Sequence, residues 1–391
     1  MNKYIQKLIH EQFDIGNMDL NNSKAKRNMN IFNKELYHPY YYKVLDGTVT
    51  EHEIKELNYL NSVAIIENKD KLKNIIEFYS ENYPEDSLNW INVSLITDMS
   101  HLFEHSNYNG NISKWDTSNV TDMSYMFYYA NKFNGPIGDW DVSNVTDMEQ
   151  MFYNAKEFNQ PIGSWEVNHV TDMSYMFYCA ERFNQPIGEW DVSNVTNMYN
   201  MFRYAKQFDQ PIGSWDVSNV TNMYGMFEEA KKFNQSIGNW DVSRVTDMGN
   251  MFSRAYKFNQ DISCWDVSNV TNMTCMFYYA EEFNQPIGNW NVSRVTDMSG
   301  MFYNATEFNM TIDEWDVSNV TNMSWMFAYQ KKFNKPIGNW DVSSVTNMFN
   351  MFYSATFNQD ISNWKISNKT NIGHMFDYCP IKEEYKPLKC R

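Results

Sequence analysis

Residues 215–239 read WDVSNVTNMYGMFEEAKKFNQSIGN, and close copies of this 25-residue stretch follow one another along most of the 391-residue chain. Tryptophan opens each copy, at Trp90, Trp115, Trp140, Trp165, Trp190, Trp215, Trp240, Trp265, Trp290, Trp315, Trp340 and Trp364. A fixed period of this length is the sequence signature of stacked coils that share one core. We therefore predict a repeat solenoid of about twelve coils.

We number the positions of a coil from its tryptophan as position 1, and we call the residues at one position in successive coils a column. Tryptophan, valine, methionine, phenylalanine, alanine and isoleucine fill positions 1, 3, 6, 9, 12, 13, 16, 19 and 23. These apolar columns are the predicted inward set. A single coil cannot enclose them, so each coil must bury its apolar side chains against its neighbours.

Local spacing predicts the shape of one coil. The letters W-x-V and V-T-N-M alternate as in a short strand, and Pro161 and Gly163 indicate a turn. In the segment M-x-x-M-F-x-x-A, apolar residues lie three and four apart, which favours one or two turns of α- or 3₁₀-helix. We expect one short β-strand and one short helical turn in each coil.

The two ends of the array differ from its middle. A capping box, Thr50 to Glu53, precedes one predicted helix, and a second predicted helix has one apolar face formed by Leu72, Ile75, Ile76 and Tyr79. Residues 1–48 show no clear period. We predict a partly helical N-terminal region at 1–85 that caps the array, the solenoid at 86–379 and a C-terminal tail at 380–391. Lys369 replaces an inward valine, which indicates a polar last coil.

Charge and composition exclude several classes of function. The formal net charge is -16, which repels phosphate backbones and argues against a nucleic-acid partner. The five cysteines show no C-x-x-C spacing, so we expect no metal site and no cofactor. No signal peptide is visible at the start, and no apolar run reaches the roughly 18 residues that span a bilayer, so we predict no membrane insertion.

The repeated motif W-D-V-S-N-V-T-[ND]-M-x-x-M-F-x-x-A-x-x-F-N-Q-P-I resembles that of the BspA-like leucine-rich-repeat surface proteins, over roughly residues 86–379. The resemblance implies a right-handed, leucine-rich-like solenoid. It also implies display on a microbial cell surface and adhesion to host proteins or other cells, with no catalytic residues. The absence of a visible signal peptide departs from the surface pattern and leaves a cytoplasmic location open.

Tyrosine recurs at positions 14 and 15, directly after M-F. The residues are Tyr128, Tyr129, Tyr153, Tyr178, Tyr204, Tyr278, Tyr279, Tyr303, Tyr329 and Tyr353. Stacked coils would align them as a stripe, which we call the tyrosine flank. An exposed stripe of tyrosines is typical of a binding surface, because a rigid ring offers a large contact area with a polar tip. The alternative is a half-buried ladder of rings that binds no ligand.

Polar columns have structural and functional interpretations. Aspartate at position 2, as in Asp141, could bind calcium or could form an Asx-type turn with the backbone two residues on. Three further columns are expected to form hydrogen bonds along the stack. They contain serine (Ser143, Ser193, Ser218), asparagine (Asn144, Asn194, Asn219) and threonine (Thr146, Thr171, Thr196).

No cluster of unique Asp, Arg, Lys or His residues occurs on adjacent coils, so we predict a protein that is not an enzyme. The leading hypothesis is a monomeric binding or adhesion solenoid that recognises a protein partner, of host or cell-surface origin, through the tyrosine flank. The alternatives are a carbohydrate-binding adhesin that uses the same rings, and an intracellular scaffold or structural array.

Overall fold

The computed structural model describes residues 64–66 and 68–391. The predicted helix after Thr50 and the stretch 1–48 lie outside these residues. The described elements are strand β1 (Ala64–Ile65), helix α1 (Lys69–Asn82), strand β2 (Ile91–Asn92) and two 3₁₀-helices, Glu383–Tyr385 and Leu388–Cys390. The coils between β2 and the first 3₁₀-helix confirm the predicted repeat solenoid.

A ladder of single-residue parallel bridges joins the coils at position 8. It runs from Asp98 through Asp122 and Asp147 to Asn371, with one residue from each coil. Positions in the first coil are therefore counted from Ile91 instead of Trp90, because Asp98 pairs with the residue only 24 positions later. The prediction of a short strand in every coil was therefore wrong, because pairing extends over one residue only. The chain turns away directly after this bridge, so no second residue can join the ladder.

The predicted helical turn is also wrong. Positions 9–16 form consecutive turns in which amides alternate between two kinds of acceptor. Amides at odd positions donate to the next coil, as from Phe127 to the Met151 carbonyl at 2.9 Å, whereas amides at positions 12, 14 and 16 donate three residues back, as from Met126 to Met123 at 3.2 Å. The amide at position 10 donates to the side chain at position 8, as from Ser124 to Asp122 at 2.8 Å. Helices and such turns both place apolar residues three and four apart, so spacing alone did not separate them.

The nine apolar columns form one continuous core. Their side chains are fully buried in the central coils, as predicted. Phenylalanines stack within a coil, as Phe152 and Phe158 do at 4.0 Å, and between coils, as Phe152 and Phe177 do at 5.5 Å. Tryptophans of successive coils lie parallel, with Trp190 and Trp215 at 6.5 Å and 1° apart in plane. Each coil therefore contributes one layer of the core.

Two hydrogen-bond ladders reinforce the stack. From Trp140 to Trp364, the indole N–H of each column tryptophan donates to the carbonyl of an isoleucine 27 or 28 residues earlier, as from Trp215 to Ile187 at 3.0 Å. At position 20, an asparagine Oδ1 accepts the amide of the same position in the next coil, as Asn159 does from Asn184 at 2.9 Å. The asparagine ladder satisfies backbone amides that the coil itself leaves unpaired. The indole is a second donor to a carbonyl that already accepts a backbone amide, as Ile187 does from Trp190 at 3.2 Å.

Helix α1 covers the first coil. It begins after Asn68, whose Oδ1 accepts from the Asp70 amide at 2.8 Å, and it buries the face that includes Leu72 and Ile76. Lys69 contacts Asp98 at 2.6 Å, and Ser80 contacts Ser106 at 2.6 Å. The second predicted N-terminal helix is confirmed, and β1 pairs in parallel with β2 at the same end.

The C-terminal tail covers the last coil. The Ile361 amide donates to the Tyr385 carbonyl at 3.0 Å, and the Lys382 amide donates to Asn358, the last member of the asparagine ladder, at 3.1 Å. Lys389 donates to the carbonyls of Ser367 and Thr370. The tail therefore occupies the acceptors that a further coil would have used. Within residues 64–66 and 68–391, no helix is both long and apolar enough to cross a membrane.

Candidate binding surface

The backbone beside the tyrosine flank is left-handed at positions 11 and 15 of the coils. In the described residues, all non-glycine residues with positive φ fall at these two positions, with φ between 51° and 61°. The left-handed region costs an L-residue about 1–2 kcal/mol. Inter-coil hydrogen bonds hold it in place, such as that from the Tyr129 amide to the Tyr153 carbonyl at 2.7 Å. The orientation of the flank residues therefore depends on hydrogen bonds between stacked coils.

The ten tyrosines of the flank lie side by side at positions 14 and 15. All are half-buried except Tyr329, which is 36% exposed. Neighbouring rings contact each other, as Tyr128 and Tyr153 do at 4.8 Å and Tyr153 and Tyr178 at 4.3 Å. The rings form the predicted ladder and also keep part of their surface accessible, so packing alone does not decide between the two interpretations.

An N-terminal aromatic cluster forms the first half of this surface. Sequence reasoning missed four of its rings, at positions 10 and 11, although they have the same 25-residue spacing. Among them, Tyr199 and Tyr224 stack at 5.2 Å, and Tyr175 lies 5.6 Å from Tyr178. The cluster consists of Tyr125, Tyr128, Tyr129, Tyr153, Tyr175, Tyr178, Tyr199, Tyr204 and Tyr224.

A charged band interrupts the flank. Arg203 pairs with Glu228 at 2.9 Å and Arg254 pairs with Glu229 at 3.0 Å, and the two glutamate side chains are 12% and 9% exposed. Burial raises the pKa of Glu228, and the Arg203 guanidinium counteracts that shift. The Arg254 guanidinium also lies 5.7 Å from the Tyr278 ring. The band therefore separates two groups of aromatic rings and contacts the second group through Arg254.

A C-terminal aromatic cluster follows the band. Tyr278 and Tyr303 stack at 4.6 Å, and Trp325 lies 5.8 Å from Tyr303. A groove of about 340 Å³ opens between these three rings. The cluster consists of Tyr278, Tyr279, Tyr303, Trp325, Tyr329 and Tyr353. Trp325 is the one tryptophan that does not stand at position 1 of a coil. This irregularity was the sequence signal that could have located the groove.

Several phenols of the two clusters have a raised pKa. Burial and neighbouring phenols raise the pKa of Tyr153 and of Tyr303, and burial likewise raises the pKa of Tyr128, Tyr178 and Tyr278. Protonated phenols are uncharged and can donate hydrogen bonds. These tyrosines are therefore suited to contact and hydrogen bonding.

The aspartates at position 2 form the predicted Asx-type turns. Asp141 Oδ1 accepts from the Ser143 amide at 3.0 Å and from its Oγ at 2.6 Å, and these bonds lower the pKa of Asp141. Asn291 accepts from Ser293 in the same way, which explains why asparagine is tolerated. Within the described ranges, no group of three or more His, Cys, Asp or Glu residues is placed to hold a metal ion.

The asparagine and threonine columns form hydrogen bonds along the stack, as predicted. Asn144 donates to the Ser118 carbonyl at 2.8 Å, and Thr146 Oγ1 donates to the Thr121 carbonyl at 3.2 Å. The prediction was wrong for the serines. Ser143 bonds within its own coil, because the Asp141 carboxylate two residues earlier is the nearer acceptor.

Fold and surface together define a repeat solenoid protein with an aromatic flank along its coils. The family described as "Mycoplasma protein of unknown function, DUF285" matches residues 71–187, 162–246, 212–312 and 281–385. These overlapping matches cover well over half of the chain, and the chain belongs to this family. None of the curated proteins compared with the chain matches it.

Proposed function

We propose that this chain is a non-catalytic binding solenoid that recognises a protein partner through the tyrosine flank. The observation that carries this proposal is the concentration of half-exposed rings along one flank. Tyrosine and tryptophan are enriched at binding hot spots, because they bury large rigid surfaces and still offer a hydrogen-bond donor.

The other outward columns support this assignment by contrast. Positions 2, 4, 5 and 7 present aspartate, serine, asparagine and threonine, and most of these side chains already bond to their own or a neighbouring coil. The tyrosine flank, by contrast, exposes part of the apolar surface of its rings. A net charge of -16 favours a partner with a basic surface, since complementary charge accelerates encounter.

The finer fold and location are part of the same proposal. We infer a right-handed, leucine-rich-like solenoid of the BspA-like type, displayed on the cell surface as an adhesion protein. The resemblance of the repeated motif supports this inference. Added protease should then degrade the chain on intact source cells, whereas protection until lysis would favour an intracellular scaffold.

Capture by immobilised protein tests the binding role. Wild type is compared with a variant in which the position-14 tyrosines Tyr128, Tyr153, Tyr178, Tyr278 and Tyr303 are replaced by serine. Serine already occupies this column at Ser253, so the coils should keep their stack. The probes are purified extracellular matrix proteins and extracts of source cells, and we expect the variant to lose the captured partner.

A matched control carries five serines on exposed residues of another column. Position 25 already contains Ser164 and Ser214, and the control replaces Asp139, Glu189, Asn239, Glu314 and Asn339. Thermal melting confirms that both variants are folded. Equal capture by wild type and the tyrosine variant, with both folded, would show that the flank is a structural ladder only.

A further inference from the structure

Trp325 has a setting unlike that of the tryptophan column. It lies at position 11, is half-exposed and meets Tyr303 and Phe349 at 5.8 Å with ring planes 54° and 71° apart. Indoles of the buried column, such as Trp315 and Trp340, lie within 4° of parallel. Among the rings of residues 64–66 and 68–391, none stacks parallel on the Trp325 indole.

The neighbour of Trp325 in its own column is Gly300. With a φ of +62°, Gly300 adopts the same backbone as other residues at position 11 but contributes no side chain. In the first coils this position is filled, and His101 stacks on Tyr125 at 4.6 Å. At Gly300 no side chain fills the column, although a Cβ there would lie 2.9 Å from Cys275 Sγ, which would have to shift slightly. Beside Gly300 lies the groove of about 340 Å³ between Trp325, Tyr303 and Tyr278.

The groove is uncharged. Besides the three rings and Gly300, it is lined by Cys275, Ser299 and Ser324, and no lysine, arginine, aspartate or glutamate lines it. Burial raises the pKa of the Cys275 thiol to about 11, so the thiol keeps its proton. A neutral ligand is therefore favoured over an ion.

The serines at the groove act as acceptors. Ser299 Oγ donates its proton to Asp297 Oδ1 at 2.6 Å, and Ser324 Oγ, in a residue that is 8% exposed, donates to Asn322 Oδ1 at 2.9 Å. Both hydroxyls are left with lone pairs only. A ligand that displaces water from them must supply O–H or N–H donors, because a buried acceptor without a partner is unfavourable.

We propose that the groove binds a neutral pyranose ring of a glycan, with the apolar C–H face of the sugar on Trp325 and its hydroxyls donating to Ser299 and Ser324. The volume fits a small ligand, since binding pockets begin at about 300 Å³. A hydrocarbon side chain would cover the rings but leave both serine acceptors unpaired. The inference rests on the proposed function of the flank and makes a glycoprotein its partner.

The test uses defined neutral sugars and two variants. Saturation-transfer NMR and fluorescence titration measure binding of maltotriose, cellotriose, N-acetyllactosamine and triacetylchitotriose to wild type. We expect a dissociation constant of about 1 mM or tighter for at least one of them. Trp325→Ala removes the stacking face, and Gly300→Gln fills the groove. Gln150 has a φ of 55° at the same position of another coil, so glutamine is compatible with this backbone.

Gly225→Gln is the control in the same column, because Gly225 has a φ of +61° and lines no part of the groove. A Cβ at Gly225 would lie 2.1 Å from Asn200 Oδ1, so the Asn200 side chain must turn and thermal melting has to show that this variant is folded. We expect both groove variants to weaken sugar binding at least about 10-fold while the control binds as wild type does. The proposal is overturned when no sugar binds at about 10 mM, when Gly300→Gln binds normally, or when N-acetyltryptophanamide alone occupies the groove.

The two proposals fail separately. Replacing Tyr128, Tyr153 and Tyr178 by serine alters the flank and leaves the groove intact. Loss of protein capture in this variant, together with no sugar binding by wild type, would overturn only the glycan assignment. Sugar binding that Gly300→Gln abolishes, with protein capture insensitive to the three tyrosines, would support the groove and overturn the wider flank.

Discussion

Replacing Trp215 by alanine in a central coil should lower the free energy of unfolding by about 3–5 kcal/mol. The indole is 3% exposed, lies 6.5 Å from Trp190 and 6.4 Å from Trp240, and donates to the Ile187 carbonyl at 3.0 Å. The substitution opens a cavity between two rings and also removes one of the two hydrogen bonds to that carbonyl, which still accepts from the Trp190 amide at 3.2 Å. The lost hydrogen bond contributes about 0.5–1.5 kcal/mol.

Urea denaturation with hydrogen exchange measures this effect and its location. Trp215→Phe separates the two causes, because it keeps a ring in the stack but removes the N–H. It should cost less than Trp215→Ala. Lys232→Ala is the control, since Lys232 is exposed and its side chain forms no hydrogen bond or ion pair with the described part of the chain. Equal effects of Trp215→Ala and Lys232→Ala would refute the assignment of the tryptophan column to the core.

Three further predictions concern the ladders and the strained positions. Asn184→Ala should cost about 1–3 kcal/mol in urea denaturation because the Asp209 amide loses its acceptor, whereas Asn184→Asp should be tolerated, as aspartate already stands at 209. Ser354→Val should destabilise by about 1–2 kcal/mol because Ser354 has a φ of 55°, and Ser354→Gly should be neutral or stabilising in the same melts. Burial and the carboxylates of Asp122, Glu149 and Asp172 raise the pKa of Asp147, so its charged form weakens the folded state. Asp147→Asn should therefore stabilise at pH 7, and the gain should vanish below the unfolded pKa of about 3.9; an equal gain at pH 3 and pH 7 would contradict this.

The sequence was sufficient to predict the period, the inward columns and the α1 face, because each depends on apolar side chains repeated at fixed spacing. It did not reveal the backbone of positions 9–16. Tyrosine, histidine and arginine carry no local signal for a left-handed residue, and inter-coil hydrogen bonds impose that conformation at Tyr204 and Arg254.

The candidate surface was predicted in part. The stripe at positions 14 and 15 follows from spacing alone, and the rings at positions 10 and 11 could have been added in the same way. The charged band required three-dimensional contacts, since only the stack shows Arg203 against Glu228 and Arg254 against Glu229. The groove arises because Gly300 and Trp325 occupy the same position in adjacent coils. A consensus sequence of the repeat does not show such a difference between two individual coils.

The most direct test of the central claim is tyrosine footprinting of the captured complex. Tyrosines are iodinated briefly with and without the bound partner, and modified peptides are quantified by mass spectrometry. We expect protection of flank tyrosines such as Tyr128, Tyr178 and Tyr303, with unchanged labelling of Tyr385 in the C-terminal tail that covers the last coil. Protection confined to that tail, or none along the flank, would contradict the proposed role of the flank.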